Sequence, residues 1–419
     1  MSDTNKKPLC YAPWITTYDI SNGDIAPCCE FKTNAISDRS NGFIRPSKSM
    51  SMEERFNHPT MEEFKHRLMT KDNLNQVPEC INCSHNNDTN VRSLSTEFDE
   101  HIEKFTNDKN NPYVFNVDEF KMIYMDYRES NVCNFSCRMC GPSLSSTHLQ
   151  LQKPIFGSKG LGEFGEKANK KGIVKNIHDV QEYLDCIDDA RIVQFLGGEP
   201  TLTDSMFIII KELRKRKMFD TCIGIVTNGS LLHRHEDDLL TLLEDFTNVN
   251  FSISVDCIGP QHNYWRHNNT WHQVEKNIDR LLEWRDKKRF GQRHIDLRVA
   301  IGWQNSFAAR DVFDRYDGVV TQVKFNQIHD VGFNLNCIRQ EHLDKLIIHW
   351  KDYPQVQSVF KSVVPKSSPK AFDDIASARH IQDRYDKINN TTLSDVFPEW
   401  EEYYNEISKF MSIKGLTNR

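Results

Sequence analysis

The sequence contains no run approaching the roughly 18 consecutive apolar residues of a membrane-spanning helix, which excludes an integral membrane protein. It has no basic surplus: Lys+Arg 53 against Asp+Glu 59 leaves a formal charge of -6. A dedicated nucleic-acid binder usually shows the opposite balance, so no nucleic-acid partner is expected. The opening Met1-Ser-Asp-Thr-Asn-Lys-Lys has no apolar stretch after its basic pair, and no secretory signal is expected there. Also missing is the even cysteine density of a small disulfide-stapled scaffold, because the 12 Cys of these 419 residues are mostly grouped. With 38% hydrophobic and 27% charged residues, the chain has a globular balance and length for two or three domains.

What is present is a pattern of thiols. Cys10, Cys28, Cys29, Cys80 and Cys83 form one set, and Cys133, Cys137 and Cys140 a second. Cys186, Cys222, Cys257 and Cys337 stand alone and read as small buried apolar groups. Clustered thiols in a long chain without a signal read as metal or redox ligands in a reducing, cytoplasmic compartment.

Three segments are expected: 1–118, 119–338 and 339–419. In the first, residues 14–19 and 25–31 flank Ser21-Asn22-Gly23-Asp24 and predict a hairpin, since Asn-Gly supplies the positive φ of a tight turn. Residues 32–52 read as a loop, 59–69 as a helix with Pro59 in its first turn, and 108–112 as a linker. From 119 the rhythm becomes strand, loop, helix. Strands are predicted at 120–126, 191–196, 222–227, 249–256, 295–302 and 319–327, with helices at 205–217, 236–246, 272–288 and 308–316. Such alternation predicts an α/β fold of parallel strands joined by crossover helices. The glycine- and lysine-rich stretch 157–172 reads as a mobile insertion, and 339–411 as a mostly helical, amphipathic tail.

Three successive strands carry one polar face. Ser252, Ser254 and Asp256 oppose Phe251, Ile253 and Val255; Arg298, Ala300 and Gly302 oppose Leu297, Val299 and Ile301; Gln322, Lys324 and Asn326 oppose Val323 and Phe325. A sheet covered by helices on both faces would be apolar on both. The pattern predicts a curved sheet with helices outside and a wet cavity inside.

Cys133-Asn-Phe-Ser-Cys137-Arg-Met-Cys140 places three thiolates on the loop after the first of these strands. Three ligands on one loop suit a [4Fe–4S] cluster with one iron left open, and an open position marks a reactive centre. Taken alone, the spacing also suits a structural zinc with a fourth ligand such as His148.

The C-x3-C-x2-C motif after the first strand, followed by Gly197-Gly198-Glu199-Pro200 after the second, resembles the radical S-adenosylmethionine (SAM) superfamily over about residues 119–330. The resemblance implies a partial (β/α)6 barrel and a [4Fe–4S] cluster on Cys133, Cys137 and Cys140, with SAM on the free iron. Met139 stands where the family often has an aromatic residue. It further implies that Gly197, Gly198, Glu199 and Pro200 hold the SAM amino group. Thr227, Asn228, Ser254 and Asp256 would then contact ribose and methionyl groups, and Arg266 would lie near the SAM carboxylate. The chemistry implied is SAM cleavage to a 5′-deoxyadenosyl radical that takes hydrogen from a substrate. The partner implied is a low-potential electron donor such as flavodoxin or ferredoxin.

In the first segment, C-x12-G-x4-C from Cys10 to Cys28 and then Cys80-x2-Cys83 resembles the twitch form of SPASM auxiliary-cluster domains, although here it precedes the barrel. This implies an auxiliary [4Fe–4S] cluster on Cys10, Cys28, Cys80 and Cys83, serving electron transfer. Cys29 is expected to be a neighbour, since adjacent side chains on a strand point to opposite faces. The family's substrates include peptides, sugars and nucleotide-derived small molecules, and the sequence does not choose among them. Asp126, Asp256, Lys324 and His329, near strand ends, are candidate proton acceptors. The competing reading is a non-catalytic zinc-stapled scaffold or binding protein, which would have no need of residues 197–200.

Overall fold

The structure is a computed structural model. It describes residues 7–19, 24–31, 44, 49–89, 92–109, 111–175, 179–288, 291–329, 332–365, 375–376, 379, 382–383, 385–387 and 389–413. The chain forms two compact units. The first holds residues 1–132, 152–225 and 241–249, and the second holds 133–151, 226–240 and 250–419. This is a division in space, and it differs from the three sequential segments above. Among the described residues the strands are β1 (Tyr18–Asp19), β2 (Ile25–Ala26), β3 (Tyr124–Tyr127), β4 (Ser136–Cys137), β5 (Ile192–Phe195), β6 (Cys222–Thr227), β7 (His233–Arg234), β8 (Asp237–Asp238), β9 (Asn248–Ser254), β10 (Arg266–His267), β11 (Gln292–Ile301) and β12 (Gln322–Gln327).

In the first unit the strand order is β2-β1-β3-β5-β6. β1 and β2 pair antiparallel, Tyr18 opposite Ala26, as the hairpin reading expects; its turn, residues 20–23, lies outside the described residues. The flank before it differs, because Ala12–Ile15 is a helical turn. Pro13 has no N–H to give to a strand ladder and fits a first helical turn instead. β1 also pairs parallel with β3, Tyr18 opposite Asp126, so the cysteine-rich segment extends the sheet that carries the motifs. β3 with β5 and β5 with β6 are parallel, as expected. The predicted helix at 59–69 is observed as Pro59–Thr70, with His58 Nδ1 accepting from the Thr60 amide. Most of loop 32–52 lies outside the described residues.

One core joins the N-terminal part to the first strands: Trp14, Phe56, Phe64, Leu68, Phe98 and Ile102 pack in one cluster with Ile123, Tyr124 and Ile192. A buried ion-pair network adds to it. Arg55 donates to Asp19 at 2.9 Å and to Glu182 at 3.0 Å, and the Tyr183 hydroxyl also reaches Asp19. A buried guanidinium left without such partners would be strongly destabilising. The described residues of the expected linker, 108, 109, 111 and 112, have no helix or strand, and the Tyr113 that follows is buried, its amide donating to Phe105 O at 2.9 Å. Helices Ser146–Gly160 and Gly162–Lys167 run through most of the stretch 157–172. Lys153 Nζ ties the first of these to the carbonyls of Ala168 and Asn169.

In the second unit β9, β11 and β12 are neighbours in that order. β11 and β12 are parallel from Asp296–Gln322 to Ile301–Gln327. The polar face read from these strands is engaged in bonding: Lys324 pairs with Asp296 at 2.6 Å, and Asp256 accepts the Ala300 amide at 2.7 Å. The expected helix 236–246 is shorter, Leu239–Leu242, because β7 and β8 form a small hairpin ahead of it, with His235 at φ +51° in the turn. The tail is helical as expected, including Gln340–His349, Pro354–Ser362, Leu393–Val396 and Glu401–Ile413. It packs through aromatic edges, Trp400 and Tyr403 lying 5.1 and 5.4 Å from Trp303 between ring centres. Among the described residues no helix is long and apolar enough to cross a membrane.

Trp400 is fully buried against Trp303, Phe307 and Tyr403. Trp400→Ala is expected to cost about 3–5 kcal/mol, as large-to-small changes at such sites do. Denaturant unfolding of the second unit reads it, and a loss below about 1 kcal/mol would show that the tail is not part of that core.

Candidate functional site

The loop of Cys133, Cys137 and Cys140 belongs to the second unit and is held at nearly every residue. β4 pairs antiparallel with β10, placing Cys137 opposite Arg266 and Ser136 opposite His267. The Arg138 amide donates to Trp265 O at 3.0 Å, and the Cys140 amide closes a turn on Cys137 O at 2.9 Å. From the following helix, Ser145 Oγ donates to Phe135 O at 2.6 Å and Thr147 Oγ1 to Cys133 O at 2.6 Å. Phe135, fully buried, anchors the loop centre. The sequence thus uses Ser-Ser-Thr at 145–147 to fix a loop that repeats no ladder of its own.

The three thiols share one electrostatic environment. Burial pushes the Cys137 thiol up, the Arg266 guanidinium opposes this, and Cys140 and Cys133 push it up further. Arg266 NH1 donates to Cys137 Sγ at 3.8 Å and its Nε to Asp256 at 2.8 Å. Burial disfavours the Arg266 charge, but Asp256 and then Cys137 outweigh it, so its pKa lies above the ordinary value. Cys133 Sγ accepts from the Phe135 amide at 3.4 Å and from Asn228 Nδ2 at 3.9 Å. Asn228 Nδ2 also donates to Asn134 at 2.9 Å, while its Oδ1 accepts the Ser230 amide at 2.9 Å. Thr227 Oγ1 accepts the Gly229 amide at 3.1 Å. Donors aimed at sulfur suit thiolates, and a metal must find its cysteines deprotonated.

Residues 197–200 lie in the first unit, after β5. The Gly198 and Glu199 amides donate to Ser130 O at 3.1 Å and Val132 O at 2.7 Å, so the motif is sewn to the backbone that leads into Cys133. Gly197 has φ +115°, which favours glycine. At Gly198 there is no room for a side chain: a Cβ would lie 2.2 Å from Val132 O. Glu199 is buried and uses Oε1 locally, accepting from the Thr201 hydroxyl at 2.7 Å and the Thr201 amide at 3.2 Å, while Pro200 opens the short turn that follows.

The N-terminal cysteines converge. Cys10, Cys28, Cys80 and Cys83 all line one small space, walled by Ala12, Phe64, Leu74 and Phe98 with Glu30 and Glu79. Burial raises the thiols of Cys10, Cys28 and Cys80, and the neighbouring thiols raise each further. Cys29 does not line this space and is exposed. The Cys28-Cys29 pair sits in a bend after β2, not on a strand. Among the described residues, no three His, Cys, Asp or Glu side chains close on a single-ion site. The four cysteines face one apolar-walled space, and four thiols are the donor set of a cluster or of a structural zinc.

The structure thus brings Cys133, Cys137, Asn228, Asp256 and Arg266 together, and separately Cys10, Cys28, Cys80 and Cys83. It places Ser254 half-buried at the end of β9. His148 is not aimed at the cysteines; its Nε2 meets the Tyr385 hydroxyl at 3.2 Å, and burial lowers its pKa from 6.5 to about 4. Of the candidate proton acceptors, Asp126 pairs with Arg128 at 2.8 Å, Lys324 with Asp296, Asp256 with Arg266, and His329 is exposed. Cys257 and Cys337 are buried as expected, while Cys186 and Cys222 are only half-buried. Sequence reasoning missed Arg138, Asn134 and Ser145; an arginine inside a cysteine motif was the one signal available.

Residues 128–286 match the family model of the Radical SAM superfamily. No curated protein matches the chain. Among solved structures it is similar to anSMEcpe with bound AdoMet and Cp18Cys peptide, at 14% identity over 57% of this chain and 61% of that one, TM-score 0.35. It therefore spans about three fifths of that protein's length. It is also similar to Streptococcus suis SuiB bound to S-adenosylmethionine, at 13% identity over 82% and 70% of the two chains, TM-score 0.37.

Two outcomes follow from this geometry. Gly198→Ala is expected to destabilise by about 1–3 kcal/mol through overpacking on Val132. Gly141→Ala, whose Cβ would meet nothing nearer than 3.9 Å, should stay within about ±0.5 kcal/mol. Equal unfolding midpoints for the two variants would contradict the close packing. Because folding keeps His148 neutral, its contribution is full above pH 6.5 and is lost as pH falls from 6.5 to about 4. The stability difference between wild type and His148→Gln should shrink over that window by up to about 3 kcal/mol. A difference that does not change with pH would contradict the assignment.

Proposed function

We propose that this chain is a radical SAM enzyme that begins its reaction by hydrogen abstraction from a substrate C–H bond. Cys133, Cys137 and Cys140 would hold three irons of a [4Fe–4S] cluster and leave the fourth for SAM. When bound and reduced, that cluster supplies the electron that splits SAM into methionine and a 5′-deoxyadenosyl radical. The loop itself carries the reading: three thiols in one electrostatic environment, with Arg266 beside Cys137 and His148 committed to Tyr385 instead of completing a zinc site.

The chain's own residues then have separable tasks. The ladder of β4 with β10 and the hydroxyls of 145–147 fix the loop. Arg266 and Asn228 donate to thiolate sulfur, and the Asp256–Arg266 pair keeps a positive charge in that buried place. Gly197, Gly198, Glu199 and Pro200 would receive the SAM amino group, with Thr227, Asn228, Ser254, Asp256 and Arg266 along the rest of the cofactor. A partial barrel would exclude water and competing hydrogen donors from the radical.

Cys10, Cys28, Cys80 and Cys83 would hold an auxiliary [4Fe–4S] cluster in a twitch-like domain. Four thiolates leave no open position, which favours electron relay over substrate ligation. Convergence of the four on one apolar-walled space supports this. A low-potential flavodoxin or ferredoxin would supply electrons in a reducing cytoplasm. The substrate is a peptide, a sugar or a nucleotide-derived molecule.

Anaerobic reconstitution followed by reduction in the presence of SAM tests the reading. Wild type is expected to be brown, to hold about eight irons per chain and to form 5′-deoxyadenosine. Cys137→Ala should form none while keeping about half the iron. A colourless protein with stoichiometric zinc, or a loaded wild type that leaves SAM intact, would overturn it.

A further inference from the structure

We propose that Gln382 and Asp386 of the C-terminal tail are positioning residues for the iron-binding loop, acting through Arg138. The inference rests on the three-cysteine reading above. Arg138 lies inside the motif, between Cys137 and Met139, and its backbone belongs to the turn that spaces Cys137 from Cys140. Its guanidinium is 2% exposed and every nitrogen has a partner: Nε donates to Tyr264 O at 2.9 Å, NH1 to Gln382 Oε1 at 2.8 Å, and NH2 to Asp386 Oδ1 at 2.6 Å. The group also lies 3.6 Å from the centre of the Tyr264 ring.

The tail end of this clamp is itself braced. Asp386 accepts from the Tyr264 hydroxyl at 3.3 Å and the Thr391 hydroxyl at 3.4 Å, and its carbonyl accepts the Thr391 amide at 3.0 Å. The preceding residue, Tyr385, meets His148 on the helix that follows the loop. Two successive tail residues therefore grip the loop from within and from its C-terminal side. A rigid fork such as guanidinium fixes direction as well as distance, which a lysine cannot do. Groups that orient metal ligands in this way typically change metal retention by about 10-fold or more when removed.

The test uses full-length Asp386→Asn, Arg138→Lys and the milder Gln382→Leu. Asp352→Asn is the control, since Asp352 pairs with Arg310 at the surface. Two rates are read: alkylation of Cys137 in metal-free protein, and iron release from reconstituted protein to a chelator, resolved from auxiliary iron by the resonance of the SAM-sensitive cluster. Asp386→Asn and Arg138→Lys are expected to speed both by about 10-fold or more, Gln382→Leu less, Asp386→Glu to restore part, and the control to match wild type. Folded variants, judged by circular dichroism, that match wild type in both rates would overturn the clamp. A wild type that binds no iron would overturn the radical SAM reading, and the alkylation rates would still decide the clamp.

Discussion

Thiolates in a dry place need positive charge nearby, and the second unit is arranged round that need. Burial disfavours ionised sulfur, so Cys137 has a guanidinium within 3.8 Å, itself held by a fully buried carboxylate. An Arg–Asp pair here is a constraint more than a source of stability, because buried pairs often do little better than break even against apolar substitutes. What it secures is the charge and direction of Arg266 at the cluster loop. The same logic holds in the first unit, where burial raises the thiols of Cys10, Cys28 and Cys80 round one space. Iron would be the compensating charge in both places.

From that constraint the rest of the local architecture follows. The cysteine loop has a two-residue ladder, so hydroxyls from 145–147, the amide of Arg138 and the side chain of Asn228 replace the bonds a longer strand would supply. The Gly-Gly-Glu-Pro turn is closed on residues 130–132 by backbone contacts that leave no volume for a methyl group at Gly198. Glycine there is a packing requirement before it is a cofactor contact. Within the first unit, the N-terminal hairpin pairs with β3, Tyr18 opposite Asp126.

Much of this was legible in the sequence. The six strands predicted from residue 119 onward each overlap an observed strand, β3 only from Tyr124, while β4, β7, β8 and β10 were not foreseen; period-2 alternation and flanking turn residues are local signals. The two cysteine groups were legible through spacing. Positions 236–246 were misread for a local reason: a tight His235 turn converts part of a helical pattern into a hairpin. The tail partners of Arg138, Gln382 and Asp386, lie 244 and 248 residues away, and no single sequence reports a contact at that separation. The pairing of Arg266 with Asp256 was similarly hidden, although each residue had been singled out.

The central claim is that one iron of the centre on Cys133, Cys137 and Cys140 has no protein ligand. Electron–nuclear double resonance on reduced protein, with SAM labelled with carbon-13 at its carboxylate, tests this directly. The account predicts a hyperfine coupling between the label and the cluster spin, absent in Cys140→Ala. A reduced cluster whose spectrum is unchanged by SAM and shows no coupling would contradict it.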